Sequence, residues 1–196
     1  MIFGIDVSHW NSINDIGDRY KNMDFVIAKC TEGVSFKDPL FRTHIENTLL
    51  YGNEVGFYHF ARPERNRDPR READFYLSIL AKYGYIGKGI MALDWEGTAL
   101  SYPISWARKW LDYCFQQTGI RPLFYCQRSY TNKIQAIREG NYGLWIARYP
   151  KDPGKTGPDP LDGKGCAIWQ YSSRPIDQDR FYGSVEQFKK YYERSK

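Results

Sequence analysis

Two carboxylates, Asp94 and Glu96, end an apolar run within residues 89–97. The run predicts a buried strand, and because strand side chains alternate between faces, residues at i and i+2 point the same way. Two acids on one face repel each other and lose solvent, so the pKa of one carboxyl rises and that group can donate a proton near neutral pH. Such a pair is typical of enzymes that hydrolyse glycosidic bonds. The structural alternative, a solvated edge strand, is disfavoured by the apolar residues that precede the pair.

The order of elements predicts how these acids are positioned. Apolar runs predict strands at 2–7, 25–30, 55–60, 90–94, 123–126, 144–147 and 167–171, a short last strand at 176–177, and a Pro/Gly-rich surface loop at 151–165. Periodicity and end signals predict helices at 39–51, 68–83, 103–118, 129–138 and 184–194. Alternation of this kind implies parallel strands joined by crossovers. We predict an α/β fold, an irregular β/α barrel of eight strands with about five helices, as a single domain over residues 1–196.

Active sites of such barrels gather at the carboxyl ends of the strands. The predicted strand ends carry four acids, one lysine and several aromatic residues: Asp6, Asp94, Glu96, Asp177, Lys29, Tyr58, Tyr125, Trp145 and Trp169. Each has a structural explanation taken singly, as a turn cap, an ion-pair partner or a core ring. Because a barrel brings all these ends into one bowl, together they predict a shared site.

Composition restricts the partners. Aromatic residues make up 17% of the chain, which suits sugar stacking and a Tyr-rich core alike. The net charge of +5 favours an anionic partner, but no Lys/Arg run is dense enough to predict nucleic-acid binding, and no stretch has the length of a membrane span. The N-terminus lacks the pattern of a signal peptide, so we expect synthesis in the cytoplasm. We also expect a monomer.

The four cysteines are expected to be buried thiols, because they lie within predicted elements: Cys30, Cys114, Cys126 and Cys166. They show no CxxC or Cys/His spacing of a metal site. We therefore expect no metal and no cofactor.

Seven short blocks occur in order along nearly the whole chain: GIDVS (4–8), KCTEG (29–33), GFYHF (56–60), LDWE (93–96), WIARY (145–149), IWQY (168–171) and ID (176–177). Together they resemble the signature of glycoside hydrolase family 25, the muramidases. The resemblance implies an irregular barrel of eight strands and about five helices. It also implies cleavage of the β-1,4 bond from N-acetylmuramic acid to N-acetylglucosamine in peptidoglycan.

The resemblance further implies roles for individual residues. Glu96 matches the general acid/base, Asp94 its partner acid, and Asp6 and Asp177 the two further acids of the cleft. The positions that resemble sugar contacts are Lys29, Tyr58, Tyr125, Trp145 and Trp169. The turn at 172–175 is shorter than is usual in the family, which leaves Asp179 as the alternative to Asp177.

Two routes are open after Glu96 protonates the glycosidic oxygen. Asp94 could attack as a nucleophile, which requires carboxyls about 5–5.5 Å apart, or the 2-acetamido group of the substrate could attack while Asp94 stabilises the oxazolinium. The i, i+2 spacing does not choose between them, whereas the resemblance implies retention with acetamido assistance. A signal-less muramidase also resembles a phage endolysin, which reaches the cell wall through a membrane pore.

The sequence leaves three other classes of barrel open. A chitinase-like enzyme would carry a further acid at the position of Ala92, and a non-catalytic glycan-binding barrel would not need all four cleft acids. A metal-dependent phosphodiesterase needs His and acid ligands, and the chain has only His9, His44 and His59. The sequence favours the muramidase over all three.

Overall fold

The computed structural model describes residues 1–149, 160–161 and 165–194, and the strands in these ranges form one sheet. They are β1 (Ile2–Val7), β2 (Phe25–Glu32), β3 (Phe36–Lys37), β4 (Glu54–Phe60), β5 (Ile90–Asp94), β6 (Leu123–Gln127), β7 (Leu144–Ala147), β8 (Ile168–Ser172) and β9 (Gln178–Phe181). Apart from residues 160, 161 and 165, the loop predicted at 151–165 lies outside the described residues.

The sheet closes into a barrel of eight strands, because β1 pairs with both β2 and β9. Neighbours from β1 through β2 and β4 to β8 are parallel, whereas β9 is antiparallel to β8 and β1. Among the described strands, the short β3 pairs only with the end of β2. The predicted barrel is therefore confirmed, and one element is corrected: the last strand begins at Gln178 and not at 176.

The α-helices of the described residues are α1 (Ile13–Ile16), α2 (Phe41–Leu50), α3 (Pro69–Lys82), α4 (Ile104–Thr118), α5 (Gln135–Glu139) and α6 (Val185–Lys189). The three long helices match their predictions: Asp68 caps α3 through the amide of Arg70, and Gly119 ends α4 at a φ of 73°. The helix predicted at 129–138 is divided between a 3-10 turn and α5, and α6 stops before the predicted end. None of these helices is both long and apolar enough to cross a membrane.

Side chains inside the barrel are apolar at the bottom and become polar or ionisable toward the mouth. Apolar residues fill the lower layers, and Phe188 of α6 packs against Phe25 and Phe181 at the bottom. Two positions further along each strand, the inward residue is polar or ionisable on most strands, because inward positions repeat every second residue. The outer faces pack against the helices in a separate apolar layer that includes the buried thiols Cys30, Cys114 and Cys126.

Candidate active site

A pocket of about 160 Å³ opens at the carboxyl end of the parallel strands. The residues that line it are Asp6, Tyr58, Asp94, Glu96, Tyr125, Trp145, Tyr149, Gln170 and Asp177. Larger surface clefts of about 430 and 510 Å³ lie beside α4 and contain no buried carboxylate. The cavity that contains buried carboxyl groups is therefore the smaller one at the barrel mouth.

Asp94 and Glu96 both face this pocket, as their spacing predicts. Asp94 is the last residue of β5, and Glu96 continues in extended conformation, with φ −146° and ψ −175°. Trp95 between them is fully buried on the opposite side, where its ring packs 5.7 Å from that of Trp106. Burial of this indole fixes the backbone, and Gly97, at a φ of 57°, turns the chain away directly after Glu96.

Burial raises the pKa of both carboxyls. For Asp94 the pKa rises well above its ordinary value, because of burial first and the charge of Glu96 second. For Glu96 burial again dominates, followed by the charge of Asp177. The charge of Lys29 acts in the opposite direction on both acids. The pair is therefore suited to holding a proton at a pH where exposed carboxyls are ionised.

A hydrogen-bonded chain holds Asp6 at the end of β1. Its Oδ2 accepts from Gln170 Nε2 at 2.7 Å. Gln170 Oε1 in turn accepts from the hydroxyls of Tyr125 at 2.9 Å and Tyr149 at 2.7 Å. Because Tyr hydroxyls donate to the amide oxygen, the amide nitrogen must face Asp6, which fixes the orientation of both groups.

The reversed direction of β9 explains why two further acids reach the site. The amino end of an antiparallel strand lies beside the carboxyl ends of the parallel ones, so Asp177 lines the pocket, where burial raises its pKa to about 6. Two residues further, Asp179 also points inward and is fully buried, and its Oδ1 accepts from Trp145 Nε1 at 2.8 Å. Burial raises the pKa of Asp179 to about 8.

Four of the five candidate sugar-contacting residues lie in or beside the pocket. Tyr58, Tyr125 and Trp145 line the pocket, with the Trp145 ring centroid 4.8 Å from that of Tyr125. Lys29 is buried beside the pocket, where its Nζ lies 2.6 Å from Glu32 Oε2.

Trp169 requires a correction. It lies on the face of β8 opposite to Gln170, is 1% exposed, and donates its indole N–H to the carbonyl of Arg148 at 2.8 Å. A ring enclosed in this way has no free face for a sugar. The period-2 rule, applied from Ile168 inside the barrel, would have selected Gln170 instead.

Sequence reasoning missed three residues of the site: Gln170, Tyr149 and, as a primary candidate, Asp179. Asp179 carries a usable signal, since it stands two residues after Asp177 on the same strand face. Tyr149 follows the end of β7 and is 52% exposed, and no local pattern distinguishes it from a surface tyrosine. Among the residues the structure describes, no three His, Cys, Asp or Glu side chains are arranged to hold a metal ion.

The family model of glycosyl hydrolases family 25 matches residues 5–179, and the chain belongs to this family. The chain is similar to Lysozyme M1 of Streptomyces globisporus, at 28% identity over 93% of this chain and 68% of the relative. An N,O-diacetylmuramidase of Chalaropsis sp is 28% identical over 95% of this chain and 97% of its own length. A lysozyme of Streptococcus phage Cp-1 is 27% identical over 89% of this chain, which spans about half (52%) of that relative.

Solved structures agree with the fold. A muramidase from Acremonium alcalophilum superposes with a TM-score of 0.76 at 26% identity, covering 98% of this chain and 99% of the other. A family GH25 lysozyme from Aspergillus fumigatus gives 0.74 at 26% identity, covering 97% and 98%. The barrel is thus that of a glycoside hydrolase.

Proposed function

We propose that the chain is a muramidase that hydrolyses the β-1,4 bond between N-acetylmuramic acid and N-acetylglucosamine in bacterial peptidoglycan. The observation that carries this proposal is that Asp94 and Glu96 line one small pocket together with Asp6 and Asp177. Relatives named lysozyme and N,O-diacetylmuramidase support the choice of bond.

Glu96 is the proposed general acid. Its burial and the charge of Asp177 raise its pKa, which favours the protonated form that donates to the glycosidic oxygen as the bond breaks. The resulting carboxylate then removes a proton from the water that completes hydrolysis. Donation of this kind contributes about 10²–10⁴ in rate.

Asp94 is the proposed partner of the substrate's 2-acetamido group. Its Oδ1 is buried and has no hydrogen-bond partner among the described residues, so it is available to accept the N–H of that group. With the proton of the pair on Glu96, the ionised Asp94 would orient the acetamido oxygen for attack and stabilise the positive charge of the oxazolinium. We therefore propose retention with acetamido assistance, and Asp6 and Asp177 as acids that tune the charge of the site.

Three aromatic side chains are the proposed sugar contacts within the pocket. Tyr58 and Tyr125 meet the Trp145 ring edge to face, with centroids 6.3 and 4.8 Å apart, and so form a rigid wall. Lys29 is proposed to act through its charge on Asp94 and Glu96.

The proposed place of action is the bacterial cell wall, after release from the cell in the manner of phage lysis. Similarity to lysozymes of Streptococcus phages Cp-1 and Cp-9 supports this setting. We propose peptidoglycan as the partner and a monomer as the acting form.

Analysis of the new reducing ends tests the proposed bond. Purified peptidoglycan is digested, reduced with borohydride and analysed by mass spectrometry. A muramidase yields N-acetylmuramitol at the new ends. N-acetylglucosaminitol would contradict the proposal, and release from chitin oligomers but not from peptidoglycan would favour the chitinase-like alternative.

A further inference from the structure

Three rings form an exposed cluster beside the barrel mouth, here called the rim shelf: His9, Trp10 and Phe36. The ring centroid of His9 lies 4.6 Å from that of Trp10 and 5.4 Å from that of Phe36. Trp10 is 82% exposed and Phe36 is 38% exposed. The rim shelf therefore exposes apolar ring faces to solvent.

The rim shelf lies at the same end of the barrel as the pocket. His9 and Trp10 follow the carboxyl end of β1, and Phe36 pairs with Glu32 at the carboxyl end of β2. Lys29 joins the two regions: its Nζ lies 5.7 Å from the ring centroid of Phe36, and its charge acts on the pocket carboxyls.

A buried acid holds the His9 side of the rim shelf. Asp38 is fully buried, and its Oδ2 accepts from the backbone N–H of His9 at 2.9 Å and contacts His9 Nδ1 at 2.7 Å. Its other oxygen accepts from the amide of Leu40 at 2.9 Å. The next residue is held as well, because the amide of Trp10 donates to Ser8 Oγ at 3.3 Å. The His9 ring and the backbone of Trp10 are thus held before a ligand arrives, which reduces the conformational entropy lost on binding.

The pocket is too small for a polymer. Its volume of about 160 Å³ is below the roughly 300–1,000 Å³ of pockets that enclose a drug-sized ligand. A glycan strand whose scissile bond reaches Glu96 must therefore continue over the rim.

We propose that the rim shelf is a further glycan subsite, at which a more distant N-acetylhexosamine of the same strand stacks its apolar face on Trp10 and Phe36. This proposal rests on the proposed function and extends it along the substrate. Aromatic rings suit the task because they give a large contact area with few rotatable bonds. The subsite would add affinity for long strands and leave the bond-breaking step unchanged.

Kinetics with long and short substrates test the subsite. Trp10→Ala and Phe36→Ala are compared with Tyr51→Ala, an exposed tyrosine at the end of α2, near the amino end of β4 and so at the end of the barrel opposite the mouth. We expect the first two variants to raise KM for long glycan strands about three- to tenfold, with kcat unchanged. A tetrasaccharide fragment should show no change, and Trp10→Phe should recover most of the loss. Equal KM for wild type and Trp10→Ala on long strands would overturn the subsite.

A binding measurement keeps this test separate from catalysis. Long glycan strands are titrated by calorimetry into Glu96→Gln and into Glu96→Gln combined with Trp10→Ala. Weaker binding of the double variant by the same factor supports the subsite even if the wild type cleaves a different bond. Identical Kd values would refute it, whereas failure of the wild type to release reducing ends from peptidoglycan would refute only the proposed function.

Discussion

Gln170 Nε2 donates to Asp6 Oδ2 at 2.7 Å, so the eighth strand fixes a carboxylate of the first strand across the barrel mouth. The two residues are buried and 164 positions apart in the chain. The amide connects Asp6 to the hydroxyls of Tyr125 and Tyr149, which reach the pocket from β6 and from the end of β7. One side chain thus orders four strands of the site.

Gln170→Ala should therefore reduce both stability and activity. The substitution leaves Asp6 Oδ2 and two tyrosine hydroxyls without this partner, and an unsatisfied buried polar group costs about 1–3 kcal/mol. Urea denaturation measures the loss, and turnover of peptidoglycan should fall because Asp6 is no longer oriented. Gln117→Ala, at an exposed position of α4, is the matched control. Unchanged stability of Gln170→Ala would show that the network contributes nothing.

Asp179→Asn should change the dependence of stability on pH. Burial raises the pKa of Asp179 to about 8, so the folded state holds a proton there that the unfolded state releases near pH 4. The stabilisation from this group is complete below about pH 4 and is lost as pH rises through about 8. The variant carries no such proton, so its Tm should fall less between pH 5 and 9 than that of the wild type. Parallel Tm curves would contradict a raised pKa at this position.

Sequence patterns predicted the parts of the fold that depend on local chemistry. The capped, periodic helices α3 and α4 and the apolar run before Asp94 carry their own start and stop signals. The direction of β9 is not written locally, because an antiparallel partner is selected by closure of the whole barrel. The sequence predicted Asp177 at the mouth correctly. It placed the start of the last strand two residues early, because the pairing of β9 with β8 and β1 cannot be predicted from the local sequence.

The error at Trp169 arose because the sequence analysis did not establish which side chains of β8 point into the barrel. Motif resemblance drew attention to Trp169, but only the inward register of β8 shows that its neighbour Gln170 faces the pocket. A shift of one residue along a strand moves a side chain from the pocket face to the outer face, so neighbouring residues have different roles. Contacts such as that of Asp179 with Trp145 join residues 34 positions apart in the chain and cannot be predicted from either segment alone.

Trp169→Ala should act on stability and not on substrate binding. The indole is enclosed in the outer apolar layer, and removal of such a ring costs about 3–5 kcal/mol. KM for glycan strands, measured per folded molecule at low temperature, should remain that of the wild type. A large rise in KM without a loss of stability would restore Trp169 as a sugar contact.

Asp177→Asn should move the titration of Glu96 to lower pH. After burial, the charge of Asp177 is the largest cause that raises the pKa of Glu96, and the variant removes this charge. Because the general acid acts only while protonated, the alkaline limb of the pH–rate profile should shift toward acid pH. Carbon-13 NMR of the Glu96 carboxyl gives the same pKa without turnover. Asp18→Asn, at an exposed position outside the pocket lining, should shift neither.

The most direct test of the central claim is the rate of Glu96→Gln. Glutamine keeps the size of the side chain but has no proton to donate, and Glu46→Gln, on the exposed face of α2, controls for loss of an acid elsewhere. Release of reducing ends from peptidoglycan should fall by about 10²–10⁴ in Glu96→Gln at unchanged Tm, and should be unaffected in Glu46→Gln. Near-full activity of Glu96→Gln would contradict the role of this carboxyl as the proton donor.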